Sequence, residues 1–557
     1  MNTKRSKNLL AIIALLSFSL TLSPTMASTK PLTQAEAIAS WGGNGVNASG
    51  LWLLEDFNLG ADPSALYRKK EVSSKTELTL CEGLTDKNCV SADSLYQILN
   101  LDVCTARMEL SCIVNFWAKD PSGKRIEGEL VRSIPFEKKQ YVEESLGANL
   151  PSSHGYGAIW KLPGVMNGGG NENYFVATRV TMFRNSKEKF EFGEIESGII
   201  PINEIQGNYG IPVLQPVGGR TSDGPITSPS GDECIAFERG ICRERVDFPA
   251  TFKFGITLRI ADNLNGWYHG RLSSPEIQVK KWKLGQEISV EGLPVKVPSL
   301  DFVVPYADLS VSARQIADEC AQKQCGGRGN RSGIWQLVGN LNHPDTFAWL
   351  KAFNKDYQDR STKTKTFWSF KKMFNHAGQL REDELRRCGE RVGDLTGVVL
   401  TNSLAYSSGP PAYDSKTGAL VYSVSSPHYE SNGEVASGTY DLTLRSEVAR
   451  CIYGFSNAPI KAEISITGDD GEKRVATTVV NEKDGWLYLS AKGFTFSAPT
   501  IQVKLSQDVV AKVEEVKASG VAPKIVPAKK SITCVKGKST KKVVGPSPKC
   551  PTGYKKR

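Results

Sequence analysis

Histidine is scarce in this sequence, with five copies in 557 residues. No two of them have a metal-binding spacing, and the absence of His-Glu-x-x-His excludes the common zinc-hydrolase signature. The Gly-x-Ser-x-Gly elbow of serine hydrolases is also missing, and no Cys-x-x-Cys pair occurs. The sequence therefore predicts no catalytic, metal-binding or cofactor-binding residues, and it favours a protein that is not an enzyme.

Long apolar runs are missing except near the N-terminus. There, residues 9–22 form an apolar stretch that is too short for a comfortable membrane span. Three basic residues precede it within residues 4–7, and small residues follow at Thr25 and Ala27. This order is typical of a secretory signal peptide cleaved after Ala27. We therefore expect an exported, extracellular protein without a transmembrane anchor.

Twelve cysteines, an even number in a chain predicted to be exported, indicate disulfide bonds. Their spacing favours mostly local pairs: Cys81–Cys89, Cys104–Cys112, Cys234–Cys242, Cys320–Cys325 and Cys534–Cys550, with Cys388 and Cys451 left to pair. Crossed pairs, such as Cys81–Cys112 with Cys89–Cys104, stay open at this point. Metal binding is the weaker alternative because the cysteines have no zinc-site spacing.

Positive charge is concentrated at the C-terminus. The chain carries 69 Lys+Arg and 59 Asp+Glu, a net charge of +10. Residues 518–557 hold eleven of these basic residues and no acid, so subtracting eleven from +10 leaves −1 for the rest of the chain. Eight basic residues lie in the last 22 positions: Lys536, Lys538, Lys541, Lys542, Lys549, Lys555, Lys556 and Arg557.

This basic tail has three interpretations. The favoured one is an electrostatic anchor to an anionic polymer of the cell envelope or to lipid phosphate. A solvated, solubilising tail is the simplest alternative. Specific nucleic-acid binding is not expected, because no recognition fold accompanies the charge.

Alternating apolar residues and regularly spaced turns predict a mainly β protein. One order of features occurs twice: a cysteine, a proline, an alternating run, Gly-Trp, and Pro-x-Ile-Gln-Val-Lys. The first copy has Gly266-Trp267 and begins its last motif at Pro275; the second has Gly485-Trp486 and Pro499. We expect tandem β-sandwich-like domains, with an immunoglobulin-like sandwich as one form.

Composition and pattern divide the chain into eight segments. They are residues 1–27, the signal peptide; 28–205, an N-terminal β-rich domain; 206–233, a Gly/Pro/Ser-rich linker or loop; 234–309, the first β-module copy; 310–390, a mixed segment with a helix capped by Asp345; 391–508, the second β-sandwich module; 509–530, a linker; and 531–557, a basic tail module closed by Cys534 and Cys550.

Two stretches resemble a group of large secreted actinobacterial proteins to which no activity is attached. One runs from Ala449-Arg450-Cys451-Ile452-Tyr453-Gly454-Phe455, with Gly485-Trp486 further on. The other is the tail, with Ile532-Thr533-Cys534-Val535-Lys536-Gly537-Lys538 and Pro548-Lys549-Cys550-Pro551-Thr552-Gly553-Tyr554. The resemblance implies a secreted or surface protein, and it transfers no catalytic residue.

Two further features hint at chemistry. Glu194 and Glu196 would share one face of a strand, which is more typical of a solvated face than of a glycosidase acid pair. Trp267 and Trp486 recur at equivalent places, which favours core positions. Trp41, Trp160 and Trp335 lie in Gly-rich surroundings and are the better candidates for exposed sugar contacts.

The leading hypothesis is therefore an exported, cell-envelope-associated protein that is structural, adhesive or glycan-binding and non-catalytic. Its expected partner is an anionic envelope polymer or glycan, and no cofactor is expected. The competing class is a secreted hydrolase acting on glycan or peptide. A cleft lined by convergent acids would favour the hydrolase. The sequence does not indicate an oligomeric state.

Overall fold

A computed structural model describes residues 48–557 with gaps. The longer gaps are 54–58, 137–144, 225–233, 319–333, 373–386 and 508–529, and shorter ones span one to four residues. The predicted signal peptide, residues 509–529 of the predicted linker 509–530 and the predicted Cys320–Cys325 pair lie outside the described residues, whereas Lys530 begins a strand.

The prediction of a mainly β protein is confirmed, with 57% strand and 8% helix. The strands in the first half of the chain are β1 Ala48–Leu53, β2 Ala65–Val72, β3 Lys75–Cys81, β4 Ser94–Asn100, β5 Cys112–Lys119, β6 Arg125–Glu127, β7 Glu129–Ile134, β8 Gly157–Lys161, β9 Asn173–Asn185, β10 Glu191–Gln206, β11 Pro212–Leu214, β12 Arg220–Ser222, β13 Ile241–Arg245, β14 Lys253–Ile260 and β15 Gly266–Trp282. A 3₁₀ turn spans Leu146–Ala148.

The second half continues the pattern. Its strands are β16 Gly285–Ser299, β17 Phe302–Pro305, β18 Ile334–Leu337, β19 Asn340–Leu341, β20 Lys363–Lys372, β21 Leu395–Thr401, β22 Ala405–Ser407, β23 Ala412–Asp414, β24 Ala419–Ser425, β25 Ser437–Arg445, β26 Lys461–Thr467, β27 Lys473–Val475, β28 Thr478–Lys483, β29 Trp486–Thr495, β30 Thr500–Ser506, β31 Lys530–Lys536, β32 Ser539–Gly545 and β33 Lys555–Lys556. Two helices are α1 Thr346–Asp356 and α2 Ser446–Tyr453.

One large, branched sheet joins strands from four of the predicted segments. β10 pairs antiparallel with β20, with Ser197 opposite Phe370. β15 pairs antiparallel with β20 and parallel with β21. β21 continues into β25, and β25 into β29 and β28. The described residues up to Gln507 accordingly form one unit by their contacts. The segment boundaries and the immunoglobulin-like detail stay predictions.

A second sheet belongs to the C-terminal half of this unit. Its strand order is β19-β22-β24-β30-β26-β27, with β23 added on β24. Smaller sheets are β17-β1-β18 and β11-β12. In the second sequence copy β26 pairs directly with β30, whereas in the first copy β16 lies between β14 and the end of β15. The two copies therefore do not have the same strand order.

Several hydrophobic clusters fill the described part of the body, including a smaller one of Leu59 and buried residues between Ile134 and Cys242. The first core cluster consists of buried residues between Leu66 and Leu400 together with Trp486. The second core cluster consists of buried residues between Cys388 and Leu505 together with Trp267. Helix α1, predicted from its Asp345 cap and apolar face, buries Leu350 and Phe353. Helix α2 ends at Gly454, whose φ of 63° suits a left-handed C-cap.

The C-terminal unit, Asp508–Arg557, contains its own small sheet. Its strand order is β32-β31-β33, with both pairings antiparallel. Cys534 lies in the central strand, is fully buried and bonds to Cys550. A unit of this size has too little apolar area for a core of its own, so the disulfide is the main constraint on its fold.

Candidate functional site

A cavity of about 370 Å³ lies in the body where β15 meets one face of β25, β29 and β28. The three strands are adjacent, and their cross-strand rows place Asp441 beside Ser490, and Thr443 beside Tyr488 and Asn481. Because side chains two apart on a strand share a face, these residues form one polar surface. All five line the cavity.

A β-bulge in β15 shapes the opposite wall. The pairing of β15 with β16 shifts register between Ser273 and Glu276. Ser274, in the bulge, has a φ of 51°, which is uncommon for a residue other than glycine. A bulge bends its strand and re-aims the following side chains. Here Glu276, Ile277 and Gln278 line the cavity just after the bulge.

Asp441 is the buried acid of this site. It is only 2% exposed, and its Oδ2 accepts a hydrogen bond of 3.4 Å from the backbone N–H of Ser274. Burial raises the pKa of Asp441, against the opposing effects of the Ser490 hydroxyl and the Lys492 ammonium. Lys492 Nζ in turn donates to Ser274 Oγ at 2.5 Å. Hydrogen bonds to Asp441 of β25 and Lys492 of β29 therefore hold the bulge against the face of these two strands.

Glu276 lies at the rim of the cavity, and its pKa shifts in the opposite direction to that of Asp441. Burial alone would raise its pKa, but the hydrogen bond from Lys253 and the nearby lysine charges lower it by more, so the net shift is downward. Lys253 Nζ donates to Glu276 Oε1 at 3.2 Å. The cavity thus contains two carboxyl groups whose pKa values are shifted in opposite directions.

Neutral polar groups complete the lining. Thr443 is 1% exposed, and its hydroxyl makes no hydrogen bond to any residue that the structure describes. Tyr488 is half-buried, and its hydroxyl donates to the Ile277 carbonyl oxygen at 3.4 Å. The exposed side chains of Gln278 and Asn481 reach the rim. Buried hydroxyls usually find a partner, so Thr443 marks a place where a bound molecule could supply one.

The predicted cysteine pairs are formed wherever the structure describes them, four of them local and one, Cys388–Cys451, between residues 63 positions apart. Cα–Cα distances are 6.0 Å for Cys81–Cys89, 5.0 Å for Cys104–Cys112, 5.0 Å for Cys234–Cys242, 5.7 Å for Cys388–Cys451 and 5.6 Å for Cys534–Cys550. These distances suit disulfides, and the crossed alternatives are not formed. Cys388–Cys451 ties α2 to residues far away in the chain.

The predicted basic tail residues divide between the two faces of the β32-β31-β33 sheet. Lys541 and Lys556 lie opposite Cys534 and therefore share its face. The segment that reaches Cys550 lies on this side, because Cys550 bonds to Cys534 and Gly553 lies against Lys536. The three lysines on this side, Lys536, Lys541 and Lys556, are nevertheless exposed. We call it the disulfide face.

The other face is open. Its rows contain Lys542 opposite Thr533, and Lys555 opposite Val535. Arg557 joins it, because its backbone N–H donates to the Thr533 carbonyl oxygen at 2.9 Å and extends the pairing by one residue. We call this the open face. Lys538 lies in the turn after β31, and Lys549 lies next to Cys550.

Glu194 and Glu196 do not form an isolated acid pair. Glu196 lies opposite Arg179 on one neighbouring strand and opposite Lys371 on the other. Burial raises the pKa of Glu194, and the charges of Arg179, Lys371 and Lys372 oppose that rise. Two carboxylates surrounded by cations on adjacent strands indicate a structural charge cluster.

The expectation for Trp160 was wrong. Its side chain is 4% exposed and packs edge-on against Phe116 at 6.2 Å between ring centroids. The Gly-rich stretch at residues 168–170 lies beyond the end of β8, and the central residues of β8, including Trp160, are buried. Trp41 and the side chain of Trp335 lie outside the described residues, whereas Trp267 and Trp486 are buried as expected.

The sequence did not indicate the cavity, because its residues come from five strands, β14, β15, β25, β28 and β29, which together span more than 200 positions. One signal was present: Asp441 interrupts the otherwise uncharged run Tyr440–Leu444. A charge inside a strand of that kind is rarely buried without a partner or a role.

The chain matches no protein-family model, no curated protein and no solved structure. Among the described residues, no helix is long and apolar enough to cross a membrane. In the same part of the chain, no group of three or more His, Cys, Asp or Glu side chains is placed to hold a metal ion.

Proposed function

We propose that this is an exported, cell-envelope-associated protein whose basic tail module docks on an anionic envelope polymer or glycan. The disulfide-braced β body then presents a non-catalytic structural, adhesive or glycan-binding surface. The resemblance to secreted actinobacterial proteins supports the same location.

The open face of the tail carries this proposal. Lys542, Lys555 and Arg557 project from one side of a three-stranded sheet, and the other side carries the Cys534–Cys550 disulfide. The exposed sheet also presents Thr533 between two of the cations. A flat, single-sign surface with no acid in residues 518–557 is complementary to a polymer of repeating negative charges.

The test is cosedimentation of the full-length, oxidised protein with isolated cell walls over a range of salt. Removing three cations with Lys542→Gln, Lys555→Gln and Arg557→Gln should weaken binding about 100-fold, at about 1 kcal/mol per charge near an anionic surface. Binding of the unchanged protein should fall steeply with salt.

A matched control removes the same charge from the disulfide face. The triple variant Lys536→Gln, Lys541→Gln and Lys556→Gln should weaken wall binding markedly less than the open-face variant, because the segment that reaches Cys550 lies on the side of these lysines. Equal losses would contradict docking by one face, and undiminished wall binding by both variants would overturn the anchor. Cys534→Ser with Cys550→Ser keeps every charge, so a large loss there shows that the folded face matters.

Hydrolysis of a glycan is a second candidate, favoured by one observation. The cavity brings together the carboxyl groups of Glu276, Asp441 and Asp484, and the pKa values of the first two are shifted in opposite directions. This is the pattern of an acid–base pair. Release of shortened oligosaccharides, abolished by Asp441→Asn and by Glu276→Gln, would support it. No release from any envelope glycan would exclude it.

A further inference from the structure

We infer that the cavity between the β15 bulge and the β25-β29-β28 face is a binding site for an uncharged saccharide unit. This inference rests on the glycan-binding role proposed for the body and specifies its site and ligand class, whereas wall attachment by the tail does not depend on it.

The backbone at the site indicates a constructed pocket rather than a packing defect. Ser274 holds a left-handed φ of 51° within a bulge, although it is not glycine. Such a conformation costs on the order of 1 kcal/mol and persists only where its surroundings hold it. Asp441 does so by accepting from the backbone N–H of Ser274, and Lys492 does so by donating to its hydroxyl oxygen.

The repeated motif gives an internal comparison. Pro275-Glu276-Ile277-Gln278-Val279-Lys280 and Pro499-Thr500-Ile501-Gln502-Val503-Lys504 match at five of six positions. Gln278 and Glu276 line the cavity, whereas Gln502 lies in β30 between β24 and β26 and does not line it. The copy that lines this cavity is the one that follows the bulge.

The charged side chains that line the cavity disfavour a strongly ionic ligand. The lining has three ammonium groups, on Lys253, Lys483 and Lys492, and three carboxyl groups, on Glu276, Asp441 and Asp484. Lys253 is already bonded to Glu276, and Lys492 to Ser274. The balance leaves little net attraction for either an anion or a cation.

The neutral groups match sugar hydroxyls instead. Thr443, Ser490 and Tyr488 carry hydroxyls, and Gln278 and Asn481 carry amides, so most of these groups both donate and accept hydrogen bonds. A saccharide hydroxyl also donates and accepts. Pro275, Ile277 and Leu489 add apolar surface for the C–H face of a ring. A cavity of about 370 Å³ is within the range of small-ligand sites.

The experiment titrates the full-length, oxidised protein with defined tetrasaccharides by calorimetry. The neutral probes are cellotetraose, maltotetraose and chitotetraose, and the anionic probe is tetragalacturonate. Measurements at about 1 M NaCl, where the Debye length is about 3 Å, suppress any contribution from the tail. We expect at least one neutral probe to bind, with tetragalacturonate binding more weakly.

The variant Gln278→Ala with Asn481→Ala removes two exposed amides that make no hydrogen bond to another described residue. It should keep its melting temperature and lose about tenfold in affinity. Gln502→Ala, at the equivalent motif position, should bind like the unchanged protein. No binding of any neutral probe, a preference for tetragalacturonate, or full affinity in the double variant would each overturn the inference. None of these outcomes bears on wall attachment by the tail.

Discussion

Trp267 and Trp486 occupy equivalent positions in the two sequence copies, yet each is buried in the cluster built mainly by the other half of the body. Trp267 packs in the second core cluster, among residues from 388 to 505. Trp486 packs in the first core cluster, and the guanidinium of Arg445 lies 4.2 Å from its ring centroid. This exchange of large side chains joins the two halves more tightly than a linker would.

The exchange predicts that the body unfolds as one unit. Trp267→Ala and Trp486→Ala should each lower the free energy of unfolding by about 3–5 kcal/mol, because each leaves a large cavity in a core. Denaturant unfolding followed by circular dichroism should show one transition for both variants. Trp282→Ala, at the half-buried end of β15, should cost only about 1 kcal/mol. Two separate transitions would show that the halves are independent.

A substitution at Gly397 tests the packing of the Trp267 ring, because Gly397 lies directly against that ring. A Cβ at this position would lie 2.4 Å from the Trp267 ring, so Gly397→Ala must displace the indole or the strand. We expect a loss of about 1–3 kcal/mol and a shift in tryptophan fluorescence.

Gly409 provides the control for this substitution. No atom lies within 4 Å of a Cβ built there, so Gly409→Ala should change stability by less than about 0.5 kcal/mol. Similar effects at the two sites would contradict the close packing of Gly397 on Trp267.

Local patterns made the strands predictable. Phe254, Ile256, Leu258 and Ile260 alternate in the sequence, and all four are buried in β14. The hairpin around Asp120-Pro121-Ser122-Gly123 forms as its turn residues predict, with Gly123 at a φ of 88°. Period-2 alternation and turn chemistry are properties of a few adjacent residues, so they can be recognised without knowing the fold.

Long-range pairing could not be predicted in this way. The parallel pairing of β15 with β21 joins residues about 130 positions apart, and nothing in either segment specifies the partner. Burial on both faces also hides the periodicity, as in β21, where all seven residues are buried. The cavity depends on such pairings and on one register shift at Ser274, so it was outside the reach of local patterns.

The disulfides should differ in their contribution to stability. Cys388–Cys451 joins residues 63 positions apart, whereas Cys81–Cys89 joins residues eight apart. The loop-entropy argument gives about 4 kcal/mol for the longer loop and about 2.5 kcal/mol for the shorter one. Denaturant unfolding of Cys388→Ala/Cys451→Ala and of Cys81→Ala/Cys89→Ala measures the two losses. A smaller loss for the longer loop would contradict the entropic origin.

Asp102 should make the stability of the body depend on pH. Burial raises its pKa from 3.8 to about 7 in the folded protein, so between these values the folded state keeps a proton that the unfolded state releases. The contribution to stability is therefore fully present below pH 4 and is lost as the pH rises toward 7. The loss is at most about 4 kcal/mol, reduced by solvent screening because Asp102 is only partly buried.

The substitution Asp102→Asn removes this titration while keeping the shape of the side chain. The variant should be more stable than the unchanged protein at pH 7 and should lose the decline between pH 4 and 7, as measured by denaturant midpoints across that range. Asp120 is a suitable control, because its exposed carboxylate accepts hydrogen bonds from Ser122 and Lys124 and its pKa is lowered. Asp120→Asn should leave the decline between pH 4 and 7 in place. A persistent decline in Asp102→Asn would assign the pH dependence to another buried acid, of which Asp441 is the first to examine, since its pKa is also raised by burial.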